Sequence, residues 1–491
     1  MEQTSWTDQT GFWDSVAHFY ESTVFIYGTT LLILYALLAV LSFLAIRAYT
    51  RKNGFVRYEN MLGSPLTPGI SVLAPAYNEG LSIISNVRSL LTLNYPKFEI
   101  VLINDGSTDN SLVQLIEEFE MVKVDYAYTI KIRSQRIRGI YKSTNQAYSR
   151  LLVIDKVNGK SKADASNAGI NVATYDYFVC TDVDCILDKD TLLKLVKPVI
   201  EEPKKRVIAT GATLRAANSC EIEEGVVTRM RPPGQLLPRF QEMEYIRAFI
   251  LGKMGWTFLN CVPNVSGGLG LFDKEIAVKA GGYDALSFGE DMELLTRMCR
   301  FAYDNKVDYA VRYIPETLCW TEVPVTAKIF MRQRTRWSRG LAQLMFAHKG
   351  MMFNPRYGKF GFIVMPYNFF FELIAPVVEI TGIVYYVVEL CRGNINKDYA
   401  VLLLCFVYLY SVMITTISIL WDQLAFRHYR TMREVILLCT TPFLEFLLYH
   451  PMNVVFSIRG YYYFLTGKKH SWGNMQRRGF GNKTAPKKVA V

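Results

Sequence analysis

Two carboxylates one residue apart, Asp182 and Asp184, follow the apolar run Tyr177-Phe178-Val179-Cys180. Such a run reads as a short buried strand. Alternate residues of an extended chain point to one side, so at the strand's end both carboxylates can reach a single ion. Hard oxygen donors suit Mg²⁺ or Mn²⁺, ions that usually arrive with substrate phosphates. For an isolated Asp-x-Asp the alternative is helix capping, and the stretch from Asp188 to Thr191 is rich in capping residues. Lys162 opens a helical stretch, where it could neutralise a diphosphate or simply be solvated. Glu290 and Asp291 open another, where the helix dipole alone favours acids.

The surrounding elements alternate. Strands are expected at Ile70 to Ala74, Phe98 to Ile103, Leu151 to Asp155, Tyr177 to Cys180 and Val207 to Leu214, with helices between them. This predicts a mostly parallel sheet covered on both faces, with ligands at the carboxyl ends of its strands. The polar clusters Tyr77 to Glu79, Asp105 and Asp182 to Asp184 all fall at such ends. Phe240 to Phe258 reads as an amphipathic helix, Ser266 to Gly270 as a flexible turn that lets backbone approach a ligand, and Tyr309 to Ile314 as strand-like. A helix from Thr326 to Phe346 carries Gln333, Arg336 and Trp337 on one face at spacings of three and four.

Of the 491 residues, 51% are hydrophobic and 20% charged, a mixture expected of a soluble domain joined to membrane helices. The net charge of +11 lies largely beside apolar segments and in the tail, which points to a membrane surface and not to nucleic acid. Nine cysteines without a Cys-x-x-Cys pair, and only five histidines, support neither a zinc site nor a disulfide framework. Residues 23–47 are expected to form a transmembrane segment, whose apolar run Val24 to Ile46 is followed by Arg47, Arg51 and Lys52, so 1–22 is expected outside and the next domain inside. Val435 to Leu448 and Val454 to Leu465 are each short for a crossing, and with Pro451 between them a broken hairpin is expected. That hairpin would leave the basic tail, 467–491, in the cytoplasm.

Six clusters occur in a fixed order: Pro75-Ala76-Tyr77-Asn78-Glu79, Asn104-Asp105-Gly106-Ser107-Thr108-Asp109, Lys162 to Gly169, Asp182-Val183-Asp184, Gly289-Glu290-Asp291 and Gln333-Arg334-Thr335-Arg336-Trp337. The ordered set resembles the membrane-integrated processive family 2 glycosyltransferases, the synthases of cellulose, chitin, hyaluronan and poly-N-acetylglucosamine. The resemblance implies an α/β fold: a cytoplasmic GT-A-like nucleotide-sugar transferase domain over 68–322, interface helices over 323–360 and a transmembrane region over 361–466. It implies inverting transfer from a UDP-sugar, aided by Mg²⁺ or Mn²⁺ at Asp182 and Asp184. Pro75, Tyr77, Glu79, Asp105, Lys162 and Asp182 would hold the donor, with Tyr77 near the uracil and Asp105 accepting its ring N–H. The family usually carries Asp where Asn104 stands. Asp291 matches the family's base, with Glu290 binding or orienting the acceptor. Gly267, Gly268, Gln333, Arg336 and Trp337 would hold the acceptor, the indole stacking on a sugar ring. Lys328, Arg332, Arg334, Arg336 and Arg339 could equally meet anionic lipid heads, and both uses are expected.

The reading is therefore a polysaccharide synthase of the plasma (inner) membrane that passes its product through its own helices. Its expected partners are the UDP-sugar, the growing polysaccharide or a lipid-linked acceptor, and the bilayer. It leaves room for export or regulatory subunits. Two alternatives stay open: single addition to a lipid-linked acceptor, and a non-enzymatic membrane assembly subunit.

Overall fold

The structure, a computed structural model, describes residues 6–54, 58–223, 225–393 and 397–468. Its strands in chain order are β1 (Ile70–Ala76), β2 (Phe98–Asn104), β3 (Met121–Val124), β4 (Ile137–Ser143), β5 (Leu151–Lys156) and β6 (Tyr177–Thr181). There follow β7 (Ile186–Leu187), β8 (Arg206–Ala216), the hairpin β9 (Glu221–Glu223) and β10 (Val226–Arg229), then β11 (Leu269–Asp273) and β12 (Tyr309–Thr321). Ten of them form one sheet in the order β3-β4-β5-β2-β1-β6-β11-β8-β12-β7.

The centre, β5-β2-β1-β6, is parallel throughout. Its residues explain this: Val72, Leu73, Ile100 to Ile103, Val153, Ile154 and Val179 are fully buried on both faces, as only a sheet covered by helices on each side allows. Burying each such side chain stabilises the fold by about 1.5–3 kcal/mol. The outer pairs β3·β4, β4·β5 and β7·β12 are antiparallel, as is β11 where it enters between β6 and β8. The chain leaves β1 towards β2 on one side and returns to it with β6 on the other. The crevice beyond the carboxyl ends of these three strands is thus a topological switch point.

Two strands differ from the sequence expectation. The flexible turn expected through Gly270 ends sooner, because Leu269 and Gly270 already belong to β11. Gly270 is there for packing, since a Cβ would lie 2.6 Å from Val265 Cγ1. β12 was expected to stop at Ile314, before Pro315, but it runs on to Thr321. The ladder with β8 shifts register between Ile314 and Thr317, a bulge that accommodates the proline's missing donor.

Among the described residues, four helical segments are long and apolar enough to cross a membrane: Ala17–Asn53, Phe360–Arg392, Ala400–Phe426 and Met432–Leu465. The first lies within α1 (Trp6–Asn53) and extends beyond 23–47 on both sides. The helical run is not interrupted at Pro451 itself. A π-turn at Glu445–Tyr449 precedes the helix His450–Leu465, so Pro451 falls in a first turn, where its lack of an N–H costs no hydrogen bond. The start of the Met432–Leu465 run contacts the α/β part, and the residues just beyond its end contact the helix Ala327–Ala347. Glu434 pairs with Arg229 of β10 at 3.3 Å, and Arg339 donates to the Lys468 carbonyl at 2.9 Å. The basic tail beyond Lys468, like residues 1–5, lies outside the described residues.

Candidate active site

β6 ends at Thr181, whose hydroxyl donates to the Gly268 carbonyl at 2.9 Å and ties the strand to the turn before β11. Asp182 and Asp184 follow, clear of the sheet. They do not cap the next helix: β7 intervenes, and Asp188 and Asp190 introduce Thr191–Glu201, the Asp190 N–H donating to Asp188 Oδ1 at 3.0 Å. Asp182 instead meets Lys162, with Nζ and Oδ1 2.5 Å apart.

Lys162 is the first residue of α2 (Lys162–Val172), and Ser161 caps that helix by accepting the Ala163 N–H. Gly169 lets α2 lie directly on the sheet, since a Cβ there would stand 2.9 Å from Ile103 Cδ1. The helix N-terminus and its lysine therefore converge on the crevice, an arrangement that favours an anion. Lys162 also donates to the Gly267 carbonyl at 2.6 Å. Burial opposes its charge, but Asp182 above all, with help from Glu290, holds the ammonium above the usual lysine range.

Asp291 lies against the same turn: a Cβ on Gly267 would be 3.3 Å from Asp291 Oδ2. Glu290 and Asp291 open α3 (Glu290–Asp304). Burial, and then the neighbouring Asp291, push the Glu290 carboxyl up, while Arg336 and Lys162 pull it down. Glu290 Oε2 is 3.9 Å from Arg336 Nη1. Arg336 belongs to α4 (Ala327–Ala347), which crosses the loop before α3 at Gly340. A Cβ at Gly340 would be 2.6 Å from Gly289 N and 2.9 Å from Gly289 Cα, both backbone atoms. The Phe288 N–H donates to Gln343 Oε1 at 3.0 Å. The loop carrying the two acids is thus locked to the helix carrying Gln333, Arg336 and Trp337.

Lys162, Asp182, Asp184, Gly267, Gly268, Glu290, Asp291 and Arg336 accordingly form one connected group. Pro75, Tyr77, Glu79 and Asp105 stand beside it, at the ends of β1 and β2. Their loops are laced together. Asn78 N–H donates to Ser107 Oγ at 3.0 Å, Glu79 N–H to Ser111 Oγ at 3.1 Å and Gly80 N–H to Asp109 Oδ2 at 2.9 Å. Tyr77 is exposed. Asp105 is buried and accepts from the Lys156 ammonium and, at 3.0 Å, from the Gly159 N–H. Gln333 is buried with its Oε1 lacking a hydrogen-bond partner among the described residues, and Trp337 is 37% exposed. Neither joins the acid cluster by a hydrogen bond among the described residues.

Two residues, Lys156 and Lys253, were not singled out in the sequence, and Arg334 was expected only at lipid heads. Lys156 is wholly buried and bridges Asp105 to Asp164, at 2.6 Å from the latter; its signal was a lysine ending an apolar strand. Arg334 lies 4.5 Å over the Trp337 ring, held by Glu244 at 2.5 and 2.8 Å. Lys253 lies between the rings of Phe249 and Tyr313, and burial lowers it to about 8 although Asp291 pulls the other way.

Ligand atoms of Asp182, Asp184 and Cys185 lie within 4.8 Å of one another. A hydrogen bond with Cys319 and then burial push the Cys185 thiol up, keeping it protonated and a poor ligand. That leaves carboxylate oxygens, a donor set that fits a hard divalent cation.

Comparison with known proteins gives the following. The family model described as "Glycosyl transferase family 2" matches residues 71–214. That described as "Glycosyl transferase family group 2" matches 177–429, just over half of the chain. Poly-beta-1,6-N-acetyl-D-glucosamine synthase of Staphylococcus epidermidis is 28% identical over 274 residues, covering 55% of this chain and 54% of that protein. The synthase of Staphylococcus aureus (strain COL) is 27% identical over 272 residues, with 55% and 54% covered. The match thus spans about half the length of these curated relatives. Among solved structures, a mannosyltransferase from Pyrobaculum calidifontis in complex with GDP-Man and Mn²⁺ is 18% identical, with a TM-score of 0.45, covering 89% of this chain and 100% of its own. Glucosyl-3-phosphoglycerate synthase from Mycobacterium tuberculosis, with Mn²⁺, UDP-glucose and phosphoglyceric acid, is 15% identical, with a TM-score of 0.36 and 59% and 84% covered.

Proposed function

Because the chain belongs to the membrane family 2 glycosyltransferases, with their GT-A-like fold, we propose that it polymerises sugar from a UDP-sugar with inversion and passes the polymer through its own membrane helices. The observation that carries this reading is the single group that joins Lys162 and Asp182, through Gly267, to Asp291, Glu290 and Arg336. It sets an anion-binding helix end beside a carboxylate on a locked loop.

In this mechanism the acceptor hydroxyl attacks the anomeric carbon from the face opposite the diphosphate. Asp291 accepts its proton as the new bond forms and the bond to the diphosphate oxygen breaks. One in-line displacement inverts the centre. Lys162 and the α2 N-terminus face the charge left on the diphosphate. Asp184, with Asp182, would hold Mg²⁺ or Mn²⁺, which when bound adds charge neutralisation at that position. Tyr77 and Asp105 take the uracil, with Pro75 and Glu79 shaping the loop. Glu290 orients Arg336, and Gln333, Trp337 and the Gly267-Gly268 turn hold the acceptor. The family relatives make UDP-N-acetylglucosamine the first donor to test.

Translocation is supported by polar side chains inside the apolar helices. Tyr20, Thr23, Tyr27 and Thr30 share one face of α1 at spacings of three and four. Tyr20 donates to Thr381 at 3.0 Å and Tyr27 to the Phe370 carbonyl at 3.0 Å. Tyr367 donates to Glu372 at 2.8 Å, and His450 and Glu379 are 2.7 Å apart. Carboxylates in such segments are expensive unless they face partners or water, and Glu372 and Glu379 have the partners Tyr367 and His450. We place the α/β domain in the cytoplasm and the protein in the plasma membrane, following the basic residues after Ile46.

The test is to supply inverted membrane vesicles with a panel of labelled UDP-sugars and to size and locate the product. Polymer in the vesicle lumen is the expected result. One sugar on a lipid would establish single addition, and no transfer from any donor would establish a non-enzymatic subunit. EDTA should abolish transfer and Mg²⁺ or Mn²⁺ restore it. Asp184→Asn should weaken metal-dependent UDP binding, measured by calorimetry, together with turnover. Equal UDP affinity with and without metal would remove that role.

Gly340→Ala should lower kcat roughly tenfold through misplacement of the acid loop, with donor affinity unchanged. Its new Cβ meets only backbone of Phe288 and Gly289, so nothing flexible can yield. Gly350→Ala, where no atom lies within 4 Å of the added carbon, is the control. Equal rates for the two variants would show that the loop position does not matter.

A further inference from the structure

A groove of about 470 Å³ opens where the helix Lys397–Phe426 ends, lined by Gln423, Leu424, Arg427, Tyr429 and Arg430. Arg427 and Arg430 are exposed. The acids nearest them in sequence are committed elsewhere, Asp422 to the buried Arg215 of β8 and Glu434 to Arg229. Two guanidinium groups thus share one small concavity whose neighbouring carboxylates are already engaged.

The loop that presents them is braced. Gln423 clamps it on both sides, its Nε2 donating to the Tyr429 carbonyl at 2.7 Å and its Oε1 accepting the Tyr429 N–H at 3.0 Å. The Arg427 N–H closes on the Gln423 carbonyl at 3.0 Å. The Tyr429 hydroxyl reaches inward to Glu242 at 2.8 Å, and Glu242 in turn pairs with Arg215 at 2.9 Å. Little ordering is left to be done when a ligand arrives, which favours binding.

The groove's position names its ligand. The candidate span Ala400–Phe426 ends at its rim, the level at which the hydrocarbon of a bilayer gives way to headgroups. Leu424 on its wall and Met432 just beyond are both exposed apolar side chains. Planar guanidinium groups fit phosphate oxygens in a bidentate manner. We propose that this groove binds a phosphate-bearing anion, supplied as the phosphodiester headgroup of an acidic membrane lipid. Arg427 and Arg430 grip the phosphate, and Leu424 and Met432 lie along the acyl chains. The site is separate from the sugar-transfer cluster and does not depend on what that cluster transfers.

The full-length protein in neutral detergent is titrated separately with phosphatidylglycerol and phosphatidylcholine, and bound lipid is followed by native mass spectrometry. Wild type should prefer phosphatidylglycerol. The double variant Arg427→Gln, Arg430→Gln should lose roughly thirty-fold in affinity for it, the combined contribution of two juxtamembrane arginines. Arg427→Lys with Arg430→Lys keeps the charge and should retain much of the binding, which separates loss of the site from misfolding. Arg392→Gln, on another membrane segment, should bind as wild type does. In a parallel arm inorganic phosphate alone is tested by thermal shift. A shift lost in the glutamine pair, with no preference for phosphatidylglycerol, would assign the groove to a free anion and overturn the lipid. Equal retention of phosphatidylglycerol by wild type and the glutamine pair would overturn the site.

Discussion

Asp291→Asn should leave donor affinity within a few-fold of wild type and lower the rate of sugar transfer by roughly 10² or more. Access as well as chemistry favours Asp291. A proton acceptor must touch the acceptor hydroxyl, and of the two adjacent acids only Asp291 lies on the turn at Gly267, where the missing side chain leaves room. Its Oδ1 accepts the Met292 N–H at 2.9 Å, which orients the carboxylate. Glu290 is 5% exposed and faces Arg336, a position suited to holding that arginine. Glu290→Gln should therefore act through Arg336, raising KM for the acceptor more than it lowers kcat. Calorimetry of UDP binding beside single-turnover transfer separates the two steps. Near-normal single-turnover rates in Asp291→Asn would move the base elsewhere, with Glu290 the first candidate.

What sequence could and could not reveal follows from the range of the forces involved. Asp182 and Asp184 were legible because a strand's period is local and the apolar run before them is unbroken. The central parallel strands were legible for the same reason. The course of β12 past Pro315 was not, because a bulge depends on the partner strand β8. Nor was the unbroken run of Met432–Leu465, because Pro451 reads as a break unless the π-turn before it is known. Asn104 shows the limit most clearly. By resemblance an Asp belongs there, and nothing adjacent explains the exchange. In the fold its Nδ2 donates to Asp155 Oδ1 at 2.8 Å, and Asp155 also receives Arg138 at 2.6 Å. A carboxylate at 104 would face Asp155 across that contact, so the amide removes a repulsion that is visible only once β2 and β5 are paired.

Trp337→Ala should shorten the polymer roughly tenfold while UDP binding survives. A chain that stays bound between additions ends when release outruns elongation, so mean length follows the ratio of the two rates. Stacking on an aromatic face is worth about 0.5–1.5 kcal/mol beyond area burial, and losing the upper value speeds release roughly tenfold. The environment of Trp337 suits that task. Arg334 covers the indole at 4.5 Å and is itself pinned by Glu244 and by the Tyr449 hydroxyl at 2.9 Å. With that side held, the 37% of the residue that stays exposed is a surface already oriented for a sugar ring. Stacking also makes few directional demands, so it holds a chain without preventing its advance. Trp337→Phe should give intermediate lengths, because a smaller face remains. Arg334→Lys should shorten the product as well, since an ammonium cannot lie flat on the ring while bridging to Glu244 in a bidentate manner. Product sizing on gels, with donor turnover measured in parallel, separates shorter chains from slower synthesis. Polymer of normal length from Trp337→Ala would make this side chain a membrane-interface anchor and leave the acceptor to Gln333 and Arg336.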